Sequence, residues 1–300
     1  MADFRFVTYE SLDDGRIVRI MLNRPEARNA QNRGLLVELH EAFLRAEADD
    51  TCRVVILGGA GPMFSSGHDM GSKVAMEEFG SHPSVQVNGG TRSAAEKLML
   101  QEWHYYFQNT LRWRNLRKIT IAQVHGPVFA AGLMLMWSCD LIVASEEVVF
   151  ADVVGTRLGM CGLEYFAHPW EFGARKTKEL LLTGDSLSVD EAHRLGMVSK
   201  VFPLDDLGDR TLDFARRIAK LPTMAALLIK ESVNQTQDNQ GFYNSLNACF
   251  TIHELNHSHW GQVHDDGYPA ARPEDGTPLW KDAPPIVPAE KTTVRADAAS

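Results

Sequence analysis

The sequence predicts an α/β fold in which short buried strands alternate with helices. Two apolar runs rich in β-branched residues, 53–57 and 120–124, each lead into a turn of small residues. Residues 32–48 carry apolar side chains at helical spacing, and residues 132–138 predict a short, buried second helix. This alternation implies a sheet whose strands are joined by right-handed crossovers through helices.

The remaining elements follow in chain order. Residues 16–22 alternate apolar and polar side chains after a turn at 13–15, which predicts a strand. Residues 71–95 are rich in Gly, Ser and Asn and predict a loop, whereas residues 97–116 predict a long helix with many aromatic side chains. Two further strands and three C-terminal helices complete the pattern, at residues 141–144, 148–150, 207–221, 224–234 and 242–259.

Composition argues against several functional classes. The chain of 300 residues is 44% hydrophobic and has a formal net charge of −9, whereas sequence-independent nucleic-acid binders are usually basic. No segment approaches the ~20 apolar residues that span a bilayer, and no basic leader opens the chain. The four cysteines lack C-x-x-C spacing and are expected to be free, buried thiols. We therefore expect a cytoplasmic protein with neither a nucleic-acid nor a membrane partner.

Two turns carry the strongest functional signal. The first, residues 58–69, reads GGAGPMFSSGHD, and the second, residues 122–132, reads AQVHGPVFAAG. Sharp turns through small residues leave backbone N–H groups unpaired and pointing outward. Two such groups that converge on one point can hold a carbonyl oxygen as it becomes an oxyanion, which indicates chemistry at a polarised carbonyl.

These turns, with two other segments, resemble the crotonase (enoyl-CoA hydratase/isomerase) superfamily. The four matching segments are 22–30 (LNRPEARNA), 64–69 (FSSGHD), 122–140 and 181–203, and they occur in the family's order within roughly residues 5–250. The resemblance implies a crotonase-like ββα spiral core over residues 1–203. It also implies a helical region at 204–261 that packs against neighbouring subunits in a homotrimer or a dimer of trimers. The proline-rich residues 262–300 are expected to form an extended or disordered tail.

The resemblance also implies a coenzyme A thioester as substrate, with no tightly bound cofactor. By position, the backbone N–H groups of His68 and Ala131 would form the oxyanion hole. The residues that would line the coenzyme A are Glu26, Ala27, Arg28, Ser66, Gly67, Asp69 and Met70. Arg28 is either a phosphate partner or a solvated surface residue, and Asp69 could instead cap the following helix. The His68 ring could act as an acid or base, or only shape the pocket.

The acid–base residues depart from the family pattern. Hydratases of this family use two glutamates, because hydration needs one group to deprotonate water and one to protonate the α-carbon. This chain has Met134 at the first position, and Val153 or Val154 at the second. The nearest acidic candidates are Glu164 and Asp152, with His168 as a weaker third candidate. Each of these could equally be a surface or capping residue.

A competing motif lies near the C-terminal end. His253-Glu254-Leu255-Asn256-His257 matches H-E-x-x-H, in which two histidines on one helix face bind zinc. The extended motif requires Gly and His at the positions that Trp260 and Val263 occupy. Such a short motif often arises by chance, so the sequence predicts no metal site here.

The sequence thus predicts an enoyl-CoA hydratase-like enzyme that lacks the usual two glutamates. Within this class, an enoyl-CoA isomerase or an acyl-CoA hydrolase remains open. A non-catalytic acyl-CoA binder and a zinc peptidase are the alternatives from other classes.

Overall fold

The computed structural model describes residues 4–81 and 95–263, together with residues 283, 285, 286 and 288. The strands are β1 (Val7–Leu12), β2 (Ile17–Leu22), β3 (Val54–Gly59), β4 (Ile119–Val124), β5 (Val128–Phe129), β6 (Leu141–Ser145), β7 (Val149–Ala151), β8 (Leu187–Ser188) and β9 (Lys200–Phe202). The α-helices are α1 (Arg33–Ala48), α2 (Lys73–Ser81), α3 (Ala95–Gln101), α4 (Asn109–Arg114), α5 (Ala131–Trp137), α6 (Val154–Leu158), α7 (His168–Phe172), α8 (Ala174–Thr183), α9 (Val189–Leu195), α10 (Leu207–Ile218), α11 (Thr223–Asn239) and α12 (Phe242–Val263). A π-helical segment, Glu102–Gln108, joins α3 to α4.

The main sheet has six strands in the order β1-β2-β3-β4-β6-β9. Only β1 runs antiparallel to its neighbour within this sheet, and β2, β3, β4, β6 and β9 are parallel. A second sheet orders its three strands as β5-β7-β8. The predicted α/β class is therefore confirmed. Because β3 and β4 are parallel neighbours, the turns that follow them leave the same edge of the sheet.

Successive side chains of β3 point to opposite faces of the sheet and so belong to two separate hydrophobic layers. Val55 and Leu57 pack into the larger core with α1 and α5, whereas Val54 and Ile56 face a second core that includes α10. This is the period of two that a strand imposes on its side chains. The six β3 residues are all buried, so the strand holds a fixed position from which the first turn departs.

Helix α12 folds back onto the core of its own chain. The Phe250 ring stacks on Phe107 of the π-helical segment, with centroids 4.7 Å apart and planes inclined by 16°. Leu246 is fully buried, and Ser245 accepts a hydrogen bond from the Trp170 indole at 3.0 Å. One face of α12 is therefore committed to contacts within the chain, next to the π-helical segment.

Two predictions require correction. The segment 71–95 is not a loop throughout, because Lys73–Ser81 forms α2, while residues 82–94 lie outside the described residues. The Ser72 hydroxyl accepts the Ala75 N–H at 3.2 Å and so caps this helix. All four cysteines are free as predicted, but Cys161 is exposed, and only Cys52 is fully buried.

The C-terminal tail contributes little to the described structure. Of residues 264–300, only 283, 285, 286 and 288 are described, and Pro288 forms an isolated β-bridge with Ser186. The prediction of an extended or disordered tail remains a prediction. A search of the described helices finds none with the length and apolar character needed to cross a bilayer.

Candidate active site

The two predicted turns meet at the carboxyl ends of β3 and β4. The Phe64 N–H donates to the His125 carbonyl at 2.9 Å, and the Phe129 N–H donates to the Ser65 carbonyl at 3.1 Å. These backbone hydrogen bonds pair the turns along several residues. Their relative position is therefore fixed by main-chain geometry rather than by flexible side chains.

Gly67 and Ala131 lie at the closest approach of the two turns. A Cβ built on Gly67 would lie 3.1 Å from the Ala131 nitrogen and 2.9 Å from the Ala130 Cβ. Ala130 itself has φ +47° and ψ −127°, a conformation that costs a non-glycine residue about 1–3 kcal/mol. Among the described residues, neither the His68 N–H nor the Ala131 N–H has a hydrogen-bond acceptor. Two unsatisfied backbone donors thus belong to adjoining turns.

The segment expected to line coenzyme A runs beside the first turn. The Ser66 N–H donates to the Arg28 carbonyl at 3.1 Å, and the Gln31 N–H donates to the Gly67 carbonyl at 2.8 Å. The Asn29 side chain donates to the carbonyls of Ala60 and Met63, at 2.8 and 2.9 Å. The structure therefore brings the predicted ligand-lining segments 26–28 and 66–70 together, with Glu26, Arg28 and Met70 exposed.

Asp69 organises the loop after the first turn. Its Oδ2 lies 2.8 Å from Nη1 of Arg24, and both side chains are about 95% buried, with exposed fractions of 5% and 4%. Its Oδ1 accepts the Ser72 N–H at 2.9 Å. Burial alone would raise the pKa of Asp69, but hydrogen bonds from Ser72 and Arg24 lower it below the usual value. Asp69 therefore positions Ser72, which caps α2, and does not cap the helix itself.

Glu164 lies against the side chain of His68. It belongs to the segment between α6 and α7, is 5% exposed, and places its two oxygens 3.3 and 3.4 Å from Nε2 of His68. The His68 ring stacks on Tyr106 with centroids 3.6 Å apart, which fixes the imidazole. Burial would raise the pKa of Glu164, but the neighbouring imidazoles of His68 and His253 lower it. The structure thus holds an ionised carboxylate one side chain away from the His68 N–H.

Asp152 occupies a different environment. Its Oδ2 lies 3.0 Å from Nε2 of His168, and both side chains are only 1% exposed. Its Oδ1 accepts the Val154 N–H at 3.0 Å at the start of α6. The His168 ring packs edge-on against Trp137. This packing favours the capping interpretation of Asp152 over a role in proton transfer.

Comparison with known proteins identifies the family. A sequence profile described as enoyl-CoA hydratase/isomerase matches residues 13–265. The chain belongs to this family. A Mycobacterium tuberculosis protein assigned as enoyl-CoA hydratase EchA13 is 64% identical to it over 293 residues, which cover 96% of this chain and 92% of that protein.

Solved structures agree with this assignment and confirm the crotonase fold. A Mycobacterium smegmatis structure assigned as an enoyl-CoA hydratase superposes with a TM-score of 0.78 at 40% identity, over 88% of this chain and 98% of that one. A second M. smegmatis structure, described as a monofunctional enoyl-CoA isomerase, gives a TM-score of 0.59 at 28% identity, over 78% of this chain and 94% of that one. Similar scaffolds therefore carry more than one reaction, and the scaffold alone does not select between them.

The positions expected to carry the hydratase glutamates hold apolar residues in this family member. Met134 is 2% exposed within α5, and Val154 packs against the larger core at the start of α6. Val153 precedes that helix and is half-buried. None of these side chains can transfer a proton.

A further titratable cluster joins the π-helical segment to α12. Nε2 of His257 lies 3.1 Å, and Nε2 of His253 lies 3.3 Å, from Oε2 of Glu102. The H-E-x-x-H motif includes the two histidines but not Glu102, which is 4% exposed. The H-E-x-x-H spacing was the available signal, because it places both histidines on one helix face. No feature of the sequence around residue 102 indicated that Glu102 would contact this face of α12.

The titratable groups of this cluster shift one another's pKa values. Burial would raise the pKa of Glu102, but the neighbouring imidazoles of His253 and His257 lower it. Burial would lower the pKa of His253, yet a hydrogen bond with Cys161 and the carboxylates of Glu102 and Glu164 raise it to about 11. His253 lies 3.9 Å from Glu164, so the cluster adjoins the candidate active site.

Proposed function

We propose that this protein catalyses proton transfer on an enoyl-CoA thioester whose carbonyl is held by the N–H groups of His68 and Ala131. The observation that supports this most directly is the contact of two backbone-paired turns that carry these two unsatisfied donors. As negative charge develops on the thioester oxygen, fixed donors in a water-poor site stabilise it more than they stabilise the ground state. The same turns supply the surface beside segment 26–28 along which coenzyme A would lie.

In this proposal Glu164 is the acid–base group. A general base must be unprotonated and close to the reacting atoms, and Glu164 is ionised and in contact with His68. In hydration of a 2-enoyl-CoA, Glu164 takes a proton from water as the water oxygen bonds to the β-carbon, and it then returns that proton to the α-carbon. His68 is the positioning residue, because its imidazole holds the carboxylate while its backbone belongs to the oxyanion hole.

Isomerisation of an enoyl-CoA is the second candidate reaction. One carboxylate can remove a proton from the carbon next to the thioester and return it two carbons further along the acyl chain. The apolar side chains at Met134, Val153 and Val154 favour this possibility, because a single carboxylate beside His68 is sufficient for it. The products distinguish the reactions, since hydration adds the mass of one water and isomerisation leaves the mass unchanged.

The proposal is tested by comparing Glu164→Gln with Asp152→Asn. Both changes remove a buried carboxylate that contacts a histidine, but only Glu164 contacts His68. We expect Glu164→Gln to lower kcat for 2- or 3-enoyl-CoA by about 10²–10⁴-fold, the usual contribution of a general base, and Asp152→Asn to retain turnover in its folded fraction. Unchanged turnover in Glu164→Gln would refute its role. Binding of acyl-CoA without turnover by the wild type would instead favour a non-catalytic binder.

We also propose that the protein assembles as a homotrimer or a dimer of trimers through its C-terminal helices. Helix α11 exposes Met224, Leu228, Ile229 and Val233, each at 55% or more of its accessible surface. Exposed apolar residues clustered on one helix are typical of an interface. Light scattering coupled to gel filtration should give three or six copies, and Leu228→Lys with Val233→Lys should reduce that number. A monomeric wild-type protein would contradict this proposal.

A further inference from the structure

Three potential metal ligands from two separate elements converge in the interior. The distance from Oε2 of Glu102 to Nε2 is 3.3 Å for His253 and 3.1 Å for His257, and the two Nε2 atoms are 3.1 Å apart. In a tetrahedral zinc site, bonds of about 2.0–2.1 Å place neighbouring ligand atoms about 3.3–3.4 Å apart. The observed triangle is therefore one slightly compact face of such a tetrahedron.

The orientation of the groups also favours a common centre. The Gly162 carbonyl can only accept a hydrogen bond, so the 2.9 Å contact with Nδ1 of His253 places the proton on that nitrogen. A metal that displaces the Nε2 proton would then meet the Nε2 lone pair, as in metal-bound histidines whose second nitrogen is held by a carbonyl. Oε2 of Glu102 is buried and has no hydrogen bond in suitable geometry with any described residue, despite its two close nitrogen neighbours. The two Nε2 atoms also face each other at hydrogen-bond distance, so all three potential ligand atoms border one small space.

The surrounding charge is suited to a cation. Glu164 lies 3.9 Å from His253, and both carboxyl oxygens of Glu254 are buried without a hydrogen-bond partner among the described residues. Burial of several carboxyl groups in one region is unfavourable unless positive charge accompanies them. Arginine and lysine side chains do not appear among the contacts of Glu102 or Glu164 within the described chain.

We propose that Glu102, His253 and His257 form a binding site for a divalent transition metal, with Zn²⁺ as the best match. Two imidazoles and one carboxylate suit zinc, and three protein ligands leave a fourth position for water. The site would fasten α12 to the π-helical segment and place the ion next to Glu164. It does not depend on the reaction proposed above, because it rests on ligand geometry and on the surrounding charge.

Metal content and affinity test this site. The protein is produced without a polyhistidine tag, analysed for metals by mass spectrometry, stripped with a chelator and titrated with Zn²⁺ by calorimetry. We expect one Zn²⁺ per chain. Loss of a ligand in His257→Ala or Glu102→Gln should weaken binding by more than the roughly 10–100-fold that loss of an outer partner causes. The matched control is His259→Ala, which removes an exposed histidine of the same helix and should leave the affinity unchanged.

The result that would overturn the proposal is a wild-type protein that binds no stoichiometric Zn²⁺, which would leave the cluster as an imidazole–carboxylate network. Equal affinity in wild type, His257→Ala and Glu102→Gln would overturn it as well. Because a variant could fail to fold, Co²⁺ is also added to the stripped wild-type protein. We expect visible absorption bands typical of four-coordinate Co²⁺, and their absence would count against the site.

Discussion

Substitution of Gly67 by alanine should separate the two turns of the candidate active site. The added Cβ would lie 2.9 Å from the Ala130 Cβ, 3.1 Å from the Ala131 nitrogen and 3.1 Å from the Phe129 carbonyl oxygen. Two of these three atoms belong to the backbone, which cannot rotate away as a side chain could. The residue also has φ +99°, which side chains of L-residues rarely adopt.

The expected magnitude has two parts. The positive φ alone should destabilise the fold by about 1–2 kcal/mol. The steric contact falls on Ala131, whose N–H is one of the two proposed oxyanion donors. Loss of one such donor typically lowers kcat by about 10²–10³-fold, equivalent to about 2.7–4 kcal/mol in the transition state. We therefore expect Gly67→Ala to lose activity far beyond its loss of stability.

Gly196→Ala is the matched control. Gly196 ends α9 with φ +90°, and a Cβ built there meets no atom within 4 Å. Gly196→Ala should lose a similar amount of unfolding free energy, measured with urea, but should retain kcat. The assay measures unfolding free energy and turnover of a 2- or 3-enoyl-CoA for both variants. Equal loss of kcat in the two variants, or normal kcat in Gly67→Ala, would refute the assignment of the donor to Ala131.

Two further predictions concern buried ion pairs. Asp69→Asn breaks the pair with Arg24 and should destabilise the fold by about 3–5 kcal/mol at neutral pH, measured by urea unfolding. Because the folded-state pKa of Asp69 is lowered, its contribution is present above the usual value of 3.8 and is lost as pH falls through the folded-state value, so wild type and variant should converge in acid. Lys230→Met removes the ammonium that lies 3.0 Å from Asp140, whose pKa burial already raises. Without the ammonium that pKa should rise further, because the folded state then favours the protonated carboxyl of Asp140. The folded state is therefore penalised as pH increases, and this variant should recover stability on acidification. These assignments would be contradicted if Lys230→Met lost the same unfolding free energy at every pH. An Asp69→Asn variant as stable as wild type would contradict them as well.

Local signals were sufficient to predict much of the fold. The apolar runs at 53–57 and 120–124 became β3 and β4 because β-branched residues suit a strand buried on both faces. The apolar spacing of 32–48 became α1 within one residue. The turn sequences were equally informative, since Gly67 must adopt a conformation that other residues avoid.

Helix α2 shows where local signals were insufficient. Its segment has little periodicity, and the prediction of a loop over residues 73–81 was wrong. The helix begins where Ser72 provides a cap, and Ser72 is held by Asp69, which is itself held by Arg24. Arg24 lies far away in sequence, so this support cannot be inferred from the segment alone.

By itself, the sequence determined strands β2, β3, β4, β6 and β7, the two glycine turns and the family, because each follows from residues that are neighbours along the chain. Only the tertiary structure decided which carboxylate meets His68 and that Glu102 meets His253 and His257. Those contacts join segments separated by about 100 residues or more, and a side chain's partner at that distance depends on how the helices pack. Periodicity identifies the face that a helix buries, whereas the opposing residue is selected by the folded core.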